Sequence, residues 1–200
     1  MKNFVILILF VALVFGVWWF FLKGNNTSNE QKLEPLKVSV HSDEFNKQID
    51  AVVSEYLLLK DAFVNDDTTA VKIEQQKFRV LLDSLNISDL KKDTAGIFES
   101  AQAQLQDMKA NTVALGKETN LTEMRQGFRM ISENLYPFLK TIHYQGNTLY
   151  WQNCPMAFGD DTEASWISNS EEILNPYLGI KHRKYKAGML HCGEVKDSIK

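Results

Sequence analysis

The sequence predicts an all-α fold: an antiparallel four-helix bundle, preceded by one N-terminal transmembrane helix and followed by a small irregular Cys-containing C-terminal segment. Three observations carry this expectation. The N-terminus holds nineteen consecutive uncharged residues, four later stretches repeat apolar residues at three- and four-residue steps, and glycines gather after residue 145. The expected boundaries are an anchor at 1–23, a flexible linker at 24–42, and one domain at 43–200, divided into a bundle at 43–144 and a Cys-containing tail at 145–200.

The apolar run extends from Phe4 to Leu22, long enough to cross a hydrocarbon core of about 30 Å, and in lipid it must be helical. It ends in Trp18-Trp19-Phe20-Phe21, bulky aromatics suited to the membrane interface and unlike the small residues of a cleavage site. An uncleaved signal anchor is therefore expected. Lys2 and the amino terminus lie on one side, whereas Lys23 is followed by the uncharged stretch Gly24 to Asn29. The positive-inside rule then puts the C-terminal domain outside the cytoplasm, as a single-pass protein of the inner membrane with its domain in the periplasm.

Residues 24–42 are polar, contain Pro35, and read as a spacer. From residue 43 the pattern turns helical. Phe45, Ile49, Val52, Tyr56, Leu59 and Phe63 share one helix face, which should end at Asn65-Asp66-Asp67, where short side chains can cap the next helix. The second helix carries Ala70, Ile73, Leu81 and Leu85, and Asn86-Ile87-Ser88-Asp89 reads as a break. The third carries Phe98, Ala101, Leu105, Met108 and Leu115. The fourth has the cleanest stripe, Leu121, Met124, Phe128, Ile131, Leu135, Phe138 and Ile142, with Asn120 and Glu123 spaced as a capping box and Pro137 as a local kink. Four amphipathic helices with short connections are most economically a bundle. None of the stripes supplies the inward carboxylates and Glu-x-x-His pairs of a di-metal bundle site, so each reads as core.

A formal net charge of −3, with 22 basic and 25 acidic residues spread along the chain, makes no basic stripe and excludes nucleic acid as the expected partner. No acid–base pair, phosphate loop or triad can be assembled, so an enzyme is not expected. His41 and His143 read as surface histidines, and Lys181-His182-Arg183-Lys184-Tyr185-Lys186 as a solvated basic face or an ordinary loop.

After His143, Thr148 to Gln152 can form a short strand, and the rest reads as irregular. Chemistry concentrates here in Cys154-Pro155-Met156 and Met189-Leu190-His191-Cys192-Gly193. Two thiols, two thioethers and an imidazole form the donor set that Cu(I) prefers and that Zn(II) uses in part. Two cysteines outside the cytoplasm also commonly form a disulfide, with Met156 and Met189 as packing residues. Either reading requires Cys154 and Cys192 to be neighbours.

Several segments together resemble the DUF3347 family: Tyr56 to Asp67, Met124-Arg125-Gln126-Gly127-Phe128, Cys154-Pro155-Met156-Ala157, Trp166-Ile167-Ser168, Asn175-Pro176-Tyr177-Leu178-Gly179 and Met189 to Gly193. The resemblance spans roughly residues 43–196. The family comprises bacterial extracytoplasmic domains, some joined to heavy-metal efflux adaptors. The Cys-Pro-Met run is also similar to the core of short heavy-metal-binding modules, which continue with histidine where this chain has Ala157. What the resemblance implies is a metal-related accessory domain, with copper ahead of zinc; with the donor set of the two motifs, the expectation is metal handling beside an efflux system through Cys154, Met156, Met189, His191 and Cys192. The alternative is a non-catalytic structural or interaction domain with a Cys154–Cys192 disulfide.

Overall fold

A computed structural model describes residues 41–92 and 96–200. The expected anchor at 1–23 and all but the last two residues of the linker lie outside the described residues. Among the described residues no helix is long and apolar enough to cross a membrane.

Helix α1 (Asp43–Val64) starts at Ser42, whose hydroxyl accepts from the Phe45 N–H at 3.2 Å. Helix α2 (Thr68–Ser84) starts at Asp67, whose carboxylate accepts from the Ala70 N–H at 2.9 Å. Helix α3 (Ile97–Lys117) follows Gly96, held at φ +98°, and helix α4 (Leu121–Thr141) follows Asn120, whose side-chain oxygen accepts from the Thr122 N–H at 2.7 Å. Each capped start satisfies a backbone donor that no helix can satisfy internally. The connections at 65–67 and 118–120 are so short that α1–α2 and α3–α4 must be hairpins. Helix α4 continues through Pro137 without interruption.

The core stripes of α1, α3 and α4 lie where the periodicity puts them, and Phe128 at their centre packs on Tyr56 at 5.2 Å and Phe63 at 4.9 Å between ring centroids. The stripe of α2 is displaced. Val71, Gln75, Phe78 and Leu82 are the buried set, while Ile73 is 50% exposed. A stripe read through Ala70 and Ile73 is rotated from the face that meets α1 and α3, because Gln75 sits inside it and breaks the apolar pattern. Its amide donates to the Thr112 carbonyl at 2.7 Å, so a polar residue is part of the buried face. His41 also departs from expectation. It is buried, with Nε2 at 2.5 Å from the Ile142 carbonyl, and so ties the start of the domain to the end of α4.

The all-α expectation is overturned by a three-stranded antiparallel sheet, β1 (Leu149–Cys154), β2 (Ala164–Ser168) and β3 (Glu194–Ile199), in the order β2-β1-β3. The four helices are joined to a sheet that leans on α4 through β2. Only β1 is visible as a strand in the sequence, and it starts one residue later and ends two residues later than Thr148–Gln152. The reason is physical: β3 is exposed from Glu194 to Asp197 and β1 buries Gln152, Asn153 and Cys154 consecutively, so neither shows the two-residue alternation that marks a half-buried strand. A register shift against β3 between Trp151 and Gln152 breaks the alternation further.

Candidate functional site

Cys154 is the last residue of β1, where Pro155, lacking an N–H, ends the ladder. Cys192 follows a short 3₁₀ turn at Ala187–Met189, and its N–H donates to the Met189 carbonyl at 3.0 Å. Gly193 lets the two segments meet. At its φ of +141° a side chain would be strained, and a Cβ there would stand 2.8 Å from the Asn153 carbonyl oxygen. The two Sγ atoms, thirty-eight positions apart in sequence, lie 2.6 Å from each other. Cys154 is buried and Cys192 partly so. Burial first, and then the neighbouring thiol, push the Cys192 pKa up to about 12, so as a free thiol it stays un-ionised at neutral pH.

The peptide that delivers Cys192 is held by the Asn175 side chain, which is fully buried. Its amide nitrogen donates to the Cys192 carbonyl at 2.9 Å, and its oxygen accepts from the N–H groups of Tyr177 at 2.8 Å and Leu178 at 3.1 Å. Tyr177 in turn packs on Phe128 at 5.9 Å and on Trp166 at 5.9 Å, and its hydroxyl donates to the Ser165 carbonyl at 2.5 Å. The same segment is clamped from α4 by Arg125. Its Nε donates to the Pro176 carbonyl at 2.9 Å, and its Nη2 donates to Asp66 Oδ1 at 2.7 Å and to the Phe63 carbonyl at 3.3 Å. Both members of the ion pair are only 7% exposed.

A second polar link joins α1, α4 and β2. Ser132 spends its single proton on the Phe128 carbonyl at 3.0 Å, so the Tyr56 hydroxyl donates to Ser132 at 2.6 Å and accepts from the Ile167 N–H at 3.1 Å. Burial holds the Tyr56 phenol well above its ordinary pKa, which keeps it a donor at every working pH. Residues from all six segments quoted above, among them Asp66, Arg125, Cys154, Trp166, Asn175 and Cys192, thus fall on one connected network.

Of the five expected ligands, the structure brings together Cys154 and Cys192. The His191 ring is exposed and its Nδ1 lies 2.8 Å from the Ile173 carbonyl. Met156 packs against the core and lines a cleft with Phe158 and Tyr177, and Met189 also packs against the core. No hydrogen bond links either thioether or the imidazole to the thiols, and among the described residues no three His, Cys, Asp or Glu side chains form a group that could hold a metal. Two sulfurs sharing one ion at about 2.3 Å bonds would stand farther apart than the observed pair.

The Asp66–Arg125 clamp, the Asn175 anchor and the Tyr56–Ser132–Ile167 link are absent from the sequence-based reading. Each residue lies inside or beside a helical stripe or turn motif, where its type alone looks ordinary. The one available signal was Arg125, a charged residue next to Met124 on the apolar face of the most regular helix.

Neither the curated proteins nor the solved structures compared with this chain include a match. The model of a family described as "Protein of unknown function (DUF3347)" matches residues 52–147, covering most of the bundle and leaving both cysteine motifs outside the matched span. Through that helical region, the chain matches the DUF3347 family.

Proposed function

We propose that this chain is a membrane-tethered, extracytoplasmic domain without catalytic turnover, in which a Cys154–Cys192 disulfide pins the 175–193 segment to the end of strand β1. The observation that carries the reading is the juxtaposition of the two Sγ atoms, 2.6 Å apart, at the end of β1. The tether rests on the uncharged run Phe4 to Leu22 and its aromatic end.

Peptide mapping of the full-length protein, purified from membranes without reductant and blocked with a maleimide, tests the disulfide. The expected product is a peptide linking Cys154 to Cys192. Two labelled cysteines would overturn the reading, and so would tight stoichiometric Cu(I) binding by protein freshly isolated without reductant. Closing a loop of this length should contribute about 4 kcal/mol on the chain-entropy model, lost on reduction or in a Cys192→Ser variant. The tether is tested separately by alkaline carbonate extraction and N-terminal sequencing. Retention with membranes and an intact Met1 are expected, and a mature N-terminus beyond residue 20 would refute it.

A further inference from the structure

The thiol network leaves unused a cleft of about 240 Å³ lined in part by Tyr177 and Leu178. Part of its lining is apolar and aromatic, with Met156 and Phe158 from the β1–β2 connection and Tyr177. Phe158 and Tyr177 are packed at 5.2 Å between ring centroids, which fixes that wall. Another part of the lining is cationic. His182, Lys184 and Tyr185 come from a tight turn closed by the Lys186 N–H donating to the His182 carbonyl at 2.8 Å. Thr122, in the first turn of the 21-residue helix α4, also reaches the cleft and brings the positive end of that helix to it.

Arg125 gives the cleft a buried donor. The residue is 6% exposed, and its Nε and Nη2 are spent on Pro176, Phe63 and Asp66. Nη1 has no hydrogen-bond partner among the described residues, while Arg125 itself lines the cleft. Asp66 fixes the guanidinium and neutralises part of its charge, but it leaves the outward N–H groups available. His182 is built the same way. Its Nδ1 accepts from the N–H groups of Tyr185 at 3.2 Å and Lys184 at 3.3 Å, which assigns the ring proton to Nε2 and makes that edge a donor. Lys184 adds a full charge, with its ammonium 4.8 Å over the Tyr185 ring.

We infer that this cleft binds a small organic carboxylate with an apolar body. The carboxylate would be held by Arg125 Nη1, His182 Nε2 and Lys184, and the apolar part would lie against Phe158, Met156 and Tyr177. An oxyanion suits the donors, since every polar group offered to the cleft by these three side chains is a donor. The aromatic wall distinguishes the ligand from a bare inorganic anion, which would leave that surface wet.

Calorimetric titration of the full-length protein in detergent with phenylacetate, with 2-phenylethanol and inorganic phosphate as comparisons, tests the assignment. Arg125 also clamps the fold, so the variants used are Lys184→Glu and Phe158→Ala, each checked for an unchanged melting temperature. Saturable phenylacetate binding is expected, with about tenfold weaker binding of the neutral alcohol and of phosphate, and about tenfold loss on reversing the charge at Lys184. No saturation at millimolar phenylacetate would overturn the proposal. Affinity unchanged in Lys184→Glu would overturn it too, as would phosphate binding as tightly as phenylacetate.

Discussion

The helical region and the C-terminal region bury their residues by different means. In the bundle the interior is mostly apolar and periodic, with buried polar side chains such as Gln75, Thr112 and Ser132 set into it: Phe128, fully buried, meets Tyr56 and Phe63 across α1, and the stripe Ile131, Leu135 and Phe138 continues it. In the C-terminal region buried polar side chains organise the chain. Asn175 bonds three backbone groups, and the Gln152 amide donates to the Ser170 and Glu172 carbonyls at 2.8 and 3.1 Å. The difference teaches that one half is specified by area removed from water and the other by donors and acceptors that must be paired once buried. The first tolerates substitution in proportion to volume. The second responds to single atoms.

The largest expected effect is at the junction of the two regions. Phe128→Ala removes the ring that packs on both Tyr56 in the bundle and Tyr177 in the C-terminal segment, and should cost about 3–5 kcal/mol in urea or thermal unfolding. A cost near 1 kcal/mol would mean that the two regions do not share this core. Next comes Asn175→Ala, which orphans the Cys192 carbonyl and two N–H groups and should cost roughly 1–3 kcal/mol. Hydrogen exchange should speed up over residues 175–193 and remain slow in α1 and α4. Equal loss of protection in the bundle would break the comparison, because the regions would then unfold as one unit.

Smaller and dependent on pH is the contribution of Glu55 on α1, which faces Glu74 and Lys77 on α2. Burial first, and then the Glu74 carboxyl, push Glu55 up to about 7 from an ordinary value of 4.5. Lys77 opposes this shift. One Glu55 carboxylate oxygen is buried without a partner, which agrees with that direction. The native state therefore holds this proton more tightly than the unfolded chain. The associated stability is full below about pH 4.5 and is lost as pH rises through about 7. Glu74, held below its ordinary value first by its hydrogen bond with Glu55 and then by that with Lys77, runs in the opposite sense. A Glu55→Gln variant should be more stable than the parent above pH 7 and should flatten the decline between pH 5 and 7.5. Parallel stability profiles for the two proteins would refute the assignment.

The smallest expected effect tests the displaced face of α2. Ile73→Ala should change stability by no more than about 0.5 kcal/mol, since the side chain is half exposed. Leu82→Ala, fully buried on the same helix, should cost about 2–5 kcal/mol. Similar costs at both positions would restore the stripe that the sequence suggests.

By itself the sequence determined the parts of this protein that rest on local patterns: four helices, the caps at Asp67 and Asn120, the core faces of α1, α3 and α4, and the pairing of Cys154 with Cys192 as neighbours. Helical periodicity survives in one dimension because residues three and four apart share a face wherever the helix goes. Tertiary structure alone decided the sheet, the buried role of His41 and the clamp of Arg125 on Asp66. Strand β3 carries almost no apolar signal, since its order comes from hydrogen bonds to β1, and a long-range hydrogen bond leaves no trace in residue spacing. Donor sets follow the same logic. Five donors within two short motifs look like one site in sequence, but the direction of each side chain is set by what it packs against: Met156 and Met189 pack on the core, and His191 Nδ1 meets the Ile173 carbonyl.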